Sequence, residues 1–134
     1  MMRASRLVPQ ALLALCAFAL GACDTVDGLP VACTANFVWG LHVTVQDSVT
    51  GGPSASGAQL IARDAAYADT SSYPPNRPDL DNLPLVAAGE REGTYTVTVR
   101  KPGFVDWERR DVVVTADECH VRPVALTALL KRAP

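Results

Sequence analysis

Between residues 37 and 47 the chain reads FVWGLHVTVQD, with Phe37, Trp39, Leu41, Val43 and Val45 on one parity and Val38, His42, Thr44 and Gln46 on the other. A period of two held this long predicts a half-buried β-strand. GAQLIARD at 57–64 alternates in the same way, setting Ala58, Leu60 and Ala62 against Gln59, Ile61 and Arg63. In TYTVTVRK, 94–101, Tyr95, Val97 and Val99 form an inward set between threonines. Residues 83–88 predict a short strand that Pro84 confines to an edge or an early position. Over 104–115 the parity breaks, because Val105, Trp107 and Val113 fall out of phase with Phe104, Val112 and Val114. The charged middle, 108–111, predicts a bulge or bend there. Residues 119–130 predict a last strand interrupted at Pro123. Turn residues separate these runs: Gly51-Gly52-Pro53, the 89–93 segment, Pro102-Gly103 and the 116–118 segment. Residues 65–82, with three prolines, three aspartates and two serines, predict a long irregular loop, a kind of segment that often carries function. No helix longer than a turn is predicted. Short strands divided by turns define an all-β, antiparallel β-sandwich.

The chain before this alternation follows a different pattern. Arg3 and Arg6 precede an uncharged run from 7 to 20, and small residues then lead to Cys23. A basic start, a short apolar stretch and a small-residue exit describe an export signal. The run is shorter than the roughly 20 residues a spanning helix needs. Two cleavage sites compete. Ala17-Phe18-Ala19 suits an ordinary signal peptidase, whereas Leu20-Gly21-Ala22-Cys23 resembles a bacterial lipobox, directly after the apolar run. In bacterial lipoproteins that cysteine thiolate accepts a diacylglyceryl group, cleavage falls just before it, and the new amino terminus is acylated. The lipobox is the favoured reading. It implies lipidation at Cys23 and a stable membrane anchor of more than one acyl chain. The expected organisation is a signal peptide at 1–22, a tether at 23–36, a sandwich at 37–130 and a short tail at 131–134.

Cleavage changes the charge and the cysteine count. The signal carries Arg3, Arg6 and no acid, so twelve basic and fourteen acidic residues become ten and fourteen, a net charge of −4. No basic block remains, which argues against a nucleic-acid partner and against a basic membrane-binding helix. Of the four cysteines, Cys16 leaves with the signal and Cys23 takes the lipid, leaving Cys33 and Cys119. In an oxidising compartment outside the cytoplasm, the simplest expectation is a disulfide between them. Metal ligation is the weaker alternative, since there is no C-x-x-C spacing and His42 and His120 share no element. No metal and no cofactor is expected.

Several motifs together carry a family resemblance: His42-Val43-Thr44-Val45, the turn from Asp47 to Gly52, GAQL at 57–60, G-x-Y-x-V-x-V at 93–99, P-G-F at 102–104 and the V-V-V-T end at 112–115. This pattern resembles the carboxypeptidase regulatory-like domain, a transthyretin-like (prealbumin-like) β-sandwich of exported bacterial proteins, over residues 37–130. The resemblance implies about seven strands in two sheets. It implies no catalysis, because in carboxypeptidases this module carries none of the zinc ligands or general acids.

The residues themselves offer few chemical sites. No serine has a G-x-S-x-G setting. Glu90 and Glu92 flank a turn, where solvated carboxylates do not separate their pKa values as acid/base pairs require. His42 reads as an outward strand residue and His120 as a neighbour of the disulfide. The candidate contact residues are Tyr67 and Tyr73 in the 65–82 loop, and Trp107, Arg109 and Arg110 in the charged cluster, whose alternative role is edge protection. The expected function is that of a non-catalytic, lipid-anchored binding or structural module. It would face the extracytoplasmic side of the bacterial envelope and contact an envelope protein or glycan through the 65–82 loop. A small exported hydrolase or metal-dependent enzyme is the alternative.

Intact mass of the membrane fraction tests the address. The expected product begins at Cys23 and carries added acyl mass, and Cys23→Ser loses both that mass and the membrane association. A chain beginning at Leu20 without added mass would assign the A-x-A cut instead.

Overall fold

Seven strands follow in chain order: β1 (Trp39–Asp47), β2 (Gln59–Asp64), β3 (Tyr67–Ser72), β4 (Leu85–Gly89), β5 (Gly93–Arg100), β6 (Trp107–Val114) and β7 (Val124–Leu130). The computed structural model describes residues 31–134. The segment 1–22 expected to be a signal, with Cys16, the expected lipidation residue Cys23, and most of the stretch 23–36 expected to be a tether lie outside the described residues. The compact unit runs over Cys33–Pro134 and takes in short stretches on either side of the 37–130 range.

β1 forms where the alternation is clearest. Leu41, Val43 and Val45 are fully buried, while His42, Thr44 and Gln46 are half-buried on the outer face. Phe37 lies ahead of the strand, with its ring over Gly89 and edge-to-face against Trp39 at 5.0 Å. A side chain at Gly89 would collide with that ring. β1 is the middle strand of a three-stranded sheet ordered β4-β1-β7. It pairs antiparallel with β4, which follows Pro84 and lies on an edge as the proline requires. It pairs parallel with β7, from Leu41 opposite Val124 to Asp47 opposite Leu130. Every other strand pairing is antiparallel. Side-chain alternation is the same for either direction, so the sense of this pairing is decided by connectivity: no short turn joins β1 to β7, which leaves them free to run parallel.

The second sheet has four strands in the order β3-β2-β5-β6. Here the structure corrects the reading of 65–82 as irregular throughout. Tyr67–Ser72 is a strand, paired with β2 from Asp64 opposite Tyr67 to Gln59 opposite Ser72. Ala65, at φ 50°, turns the chain tightly between the two. The irregular excursion is therefore confined to 73–84 and holds one 3-10 turn at Pro78–Leu80. The parity break at 104–115 is a β-bulge. Tyr95 faces Val112, but Val97 faces Arg109, so β6 carries an extra residue around Asp111, which sits at φ 56°. Trp107 before the bulge and Val112 and Val114 after it thereby turn to the same face.

The two sheets enclose a core of small branched residues and one tyrosine. Leu41, Val43, Val45, Leu60, Leu85, Val97, Val99 and Leu130 are at most 1% exposed, and each such burial contributes about 1.5–3 kcal/mol. Tyr95 is fully buried, and its hydroxyl donates to the Arg91 carbonyl at 3.0 Å. On one side the sheets are tied by Asp69 of β3, whose Oδ2 accepts the Ala88 N–H of β4 at 2.9 Å.

The Cys33–Cys119 disulfide is formed and joins residues 86 apart, from just before β1 to the β6–β7 connection. Closing so long a loop constrains the unfolded chain. The double variant C33S/C119S should therefore lower the unfolding free energy by about 2–5 kcal/mol. Urea denaturation of the two proteins measures this, and matching midpoints would refute it.

Candidate functional site

The loops at one end of the sandwich build an open cleft of mixed polar and apolar lining. Ser56 lies at its centre. Its N–H donates to Asp81 Oδ1 at 2.7 Å, its hydroxyl donates to the Pro74 carbonyl at 3.3 Å, and its Oγ accepts the Arg77 N–H at 2.9 Å. These bonds fasten the 73–84 excursion onto the β1–β2 connection. Gly57 sits at φ +74°, a conformation that side chains rarely adopt, and donates its N–H to the Pro74 carbonyl at 3.2 Å. The cleft encloses about 340 Å³ between Pro75, Asn76 and Arg77 on one wall and Lys101 on the other. Arg77 pairs with Asp79 at 2.7 Å. That hydrogen-bonded pairing raises the Arg77 pKa and lowers that of Asp79.

A chain of contacts behind the cleft holds Lys101. Its Nζ donates to the Ser54 carbonyl at 2.9 Å and to Ser54 Oγ at 2.6 Å, and lies 5.4 Å from the centre of the Phe104 ring. The Arg132 guanidinium lies 5.7 Å from the same ring and reaches Asp47 Oδ2 at 2.7 Å. Asp47 closes β1: its Oδ1 accepts the N–H groups of Val49 at 2.8 Å and Thr50 at 3.3 Å, an Asx-type turn. The Val49 N–H is the largest influence on its carboxyl. Together with Thr50 and Arg132 it outweighs burial and holds the pKa below the ordinary value.

The opposite end is structural. Arg91 donates to Asp64 Oδ2 and to the Tyr95 hydroxyl, both at 2.8 Å, and lies 4.0 Å above the Tyr67 ring. The bond to Tyr95, followed by that to Asp64, raises its pKa. Nearby, His120 Nδ1 lies 2.9 Å from Glu90 Oε1, and its Nε2 is 3.1 Å from both the hydroxyl and the carbonyl oxygen of Thr34. Burial works to raise the Glu90 pKa, but the Val38 N–H at 2.7 Å and His120 outweigh it and lower it. Asp117 Oδ1 accepts the N–H groups of Cys119 and His120, and these bonds, that of His120 first, lower its pKa.

The contact residues expected from sequence fall into two separated groups. Tyr67 opens β3, with its ring against Tyr95 and Arg91, and burial raises its pKa. Tyr73 follows β3, and its hydroxyl donates to the Pro84 carbonyl at 3.0 Å. Both anchor their segment to the sandwich. Trp107, Arg109 and Arg110 lie on β6, at the far edge of the same sheet. Trp107 is half-buried opposite Val99, Arg109 is exposed opposite Val97, and Arg110 pairs with Glu108 at 2.6 Å. His42 is half-buried on the outer face of β1, between Val86 and Ala125. Cys23 lies outside the described residues. The cleft residues Ser56, Asn76, Arg77 and Lys101 had no signature in the sequence, since three separate loops bring them together. Among the described residues no three His, Cys, Asp or Glu side chains gather closely enough to hold a metal ion, and no helix is long and apolar enough to cross a membrane.

Asp47→Asn tests the support behind the cleft. The folded-state pKa lies below the ordinary one, so the charge stabilises the fold above the ordinary carboxylate value. That stabilisation is lost as pH falls through the folded value. The variant should melt below the parent at neutral pH, and the gap should close in acid below the carboxylate range. A gap that persists undiminished in acid would show that the charge of Asp47 is not what matters.

No protein-family model matches this chain, and no curated protein matches its sequence.

Proposed function

We propose that the protein is a non-catalytic binding module, held on the extracytoplasmic side of the bacterial envelope by lipid at Cys23. In this reading the Cys33–Pro134 unit is a transthyretin-like sandwich of the carboxypeptidase regulatory-like kind. Seven strands in two sheets and the motifs at 93–99 and 102–104 support that kinship. The 73–84 excursion and Lys101 then form the contact surface for an envelope protein or glycan.

One observation carries the proposal: the chain joins the sandwich at the end opposite the cleft. Cys33, Thr34, His120 and Glu90 cluster beyond the start of β5, whereas Lys101 follows its last residue. β5 has eight residues, and an extended strand of that length puts about 25 Å between the two ends. A domain anchored at one end thus presents its rigid polar loops at the other. Several of the side chains that acid/base chemistry could use are engaged in the scaffold. Asp47 and Asp117 hold turns, Asp64 holds Arg91, and Glu90 and His120 hold the incoming chain.

The test is capture from envelope extract with the parent and with the double variant Asn76→Gly/Arg77→Ala, glycine being the residue that tolerates the φ of 61° at position 76. Both side chains are exposed, and the Arg77 side chain pairs only with its neighbour Asp79. The variant should melt with the parent and lose the captured partner. Undiminished capture by a folded variant would refute the cleft as the contact surface.

A further inference from the structure

The two sheets are unequal, with four strands facing three. The deficit lies beside β7. The Ser48 N–H donates to the Leu130 carbonyl at 2.9 Å, so the backbone groups of Leu130 and, by strand parity, of Ala128, Leu126 and Val124 point toward β1. Those of Ala125, Thr127 and Leu129 point the other way, where no backbone partner lies among the described residues. This edge has defined limits. Beyond it, Val105 N–H donates to the Lys131 carbonyl at 2.8 Å and Ala133 N–H to the Gly103 carbonyl at 3.0 Å. The 103–105 segment thus starts as a fourth strand beside β7, and the chain then leaves to build β6 in the other sheet.

The other edges are guarded, as exposed strands need to be. β6 carries Glu108, Arg109, Arg110 and Asp111 and a bulge. β4 is short, follows Pro84, and has its Ala88 N–H taken by Asp69. β3 is polar. β7 reads VALTALL, without a charge or a proline. On this side the facing sheet ends at β6, which turns Trp107, opposite Val99, and Arg109, opposite Val97, to the same face as the buried Val112 and Val114. Val105, Trp107 and Leu129 line a recess of about 260 Å³ there. Its acids are already neutralised, Asp106 by Arg100 and Glu108 by Arg110. Arg109 and Lys131 have no acidic partner among the described residues.

We infer that the β7 edge is a docking site for an extended segment of a partner protein, which adds antiparallel to Ala125–Thr127–Leu129 and completes the short sheet. The added strand carries an acidic residue toward Arg109 and apolar residues two positions away that fill the recess against Trp107. Backbone pairing supplies affinity and the alternate side chains supply selection. A second copy of this chain fits the edge poorly. Pairing antiparallel about Thr127 sets Arg122 of one copy opposite Arg132 of the other, and like charges in facing positions are unfavourable. This surface is separate from the cleft and does not depend on it.

Amide hydrogen exchange on the full chain tests this, with the capped peptide TVTETVT as probe and TVTKTVT as control. Without peptide, the amides of Ala125, Thr127 and Leu129 should exchange fast. At millimolar TVTETVT they should slow by about tenfold or more, and TVTKTVT should protect them less. Thr127→Pro removes one outward N–H without touching the β1 ladder, and should weaken binding by about tenfold. Should that variant fail to fold, a peptide N-methylated at its edge-facing amides removes the same bonds from the other side. Arg109→Glu should reverse the preference between the two peptides. Absence of protection, or equal binding by a folded Thr127→Pro variant, would overturn the proposal. Protection that needs no peptide and grows with protein concentration would overturn it in favour of a second copy.

Discussion

The structure depends on β1 being hydrogen-bonded along both sides. It comes first in the chain, yet its partners are the fourth and the last strands. Until β7 arrives, β1 and β4 have no third strand, and a two-stranded ribbon is marginal in water. The pairing of Leu41 through Asp47 with Val124 through Leu130 therefore closes the domain and fixes which face of each strand is buried. Both ends of β1 are also fastened. Asp47 locks its exit to Arg132 beyond β7, and Glu90 accepts the Val38 N–H at its start while meeting His120 beside the disulfide. The long-range bridge between Cys33 and Cys119 secures the approach to β1 against the connection that feeds β7. Covalent and ionic restraints thus support the one pairing that joins the first strand to the last.

Where burial is one-sided, the sequence displays the fold openly. β1 and β5 alternate because each has one face in the core, whereas β2 also buries Ile61 on its other face. The phase break in β6 is a bulge because a strand that changes parity must carry an extra residue. β3 was not legible. Tyr67, Asp69 and Ser71 face inward, but only one of them is a large apolar residue, so a period-two pattern made of polar groups reads as loop. The strand forms because β2 offers it a ladder and because Asp69 finds a partner across the sandwich at Ala88. The parallel sense of β7 was equally hidden, since alternation carries no direction.

The candidate surfaces were legible only in part. The 65–82 segment was visible from its prolines, but its half-buried tyrosines proved to be anchors: the Tyr67 ring packs under Arg91 and the Tyr73 hydroxyl donates to Pro84. The groups that shape the cleft come from three loops far apart in sequence, and only the folded backbone assembles them. Arg91 is the clearest residue of this kind. It lies in the 89–93 turn and links Asp64, Tyr67 and the buried Tyr95 hydroxyl. A buried hydroxyl needs partners, so Tyr95 foretold that a partner must exist without naming it.

An exposed backbone edge in water is already satisfied by solvent, so it costs the isolated fold nothing; what it brings is the hazard of unwanted pairing. This chain answers that hazard at β6 with four successive charged residues and a bulge, and at β4 with a proline and an intercepted N–H. The same chain leaves β7 uncharged between Arg122-Pro123 and Lys131-Arg132. Cations at both ends of an apolar strand oppose its own copies while leaving the middle accessible to a strand of opposite charge. Guards placed at the ends and withheld from the centre select among partners, and a strand meant only to stay single would carry its charge in the middle, as β6 does.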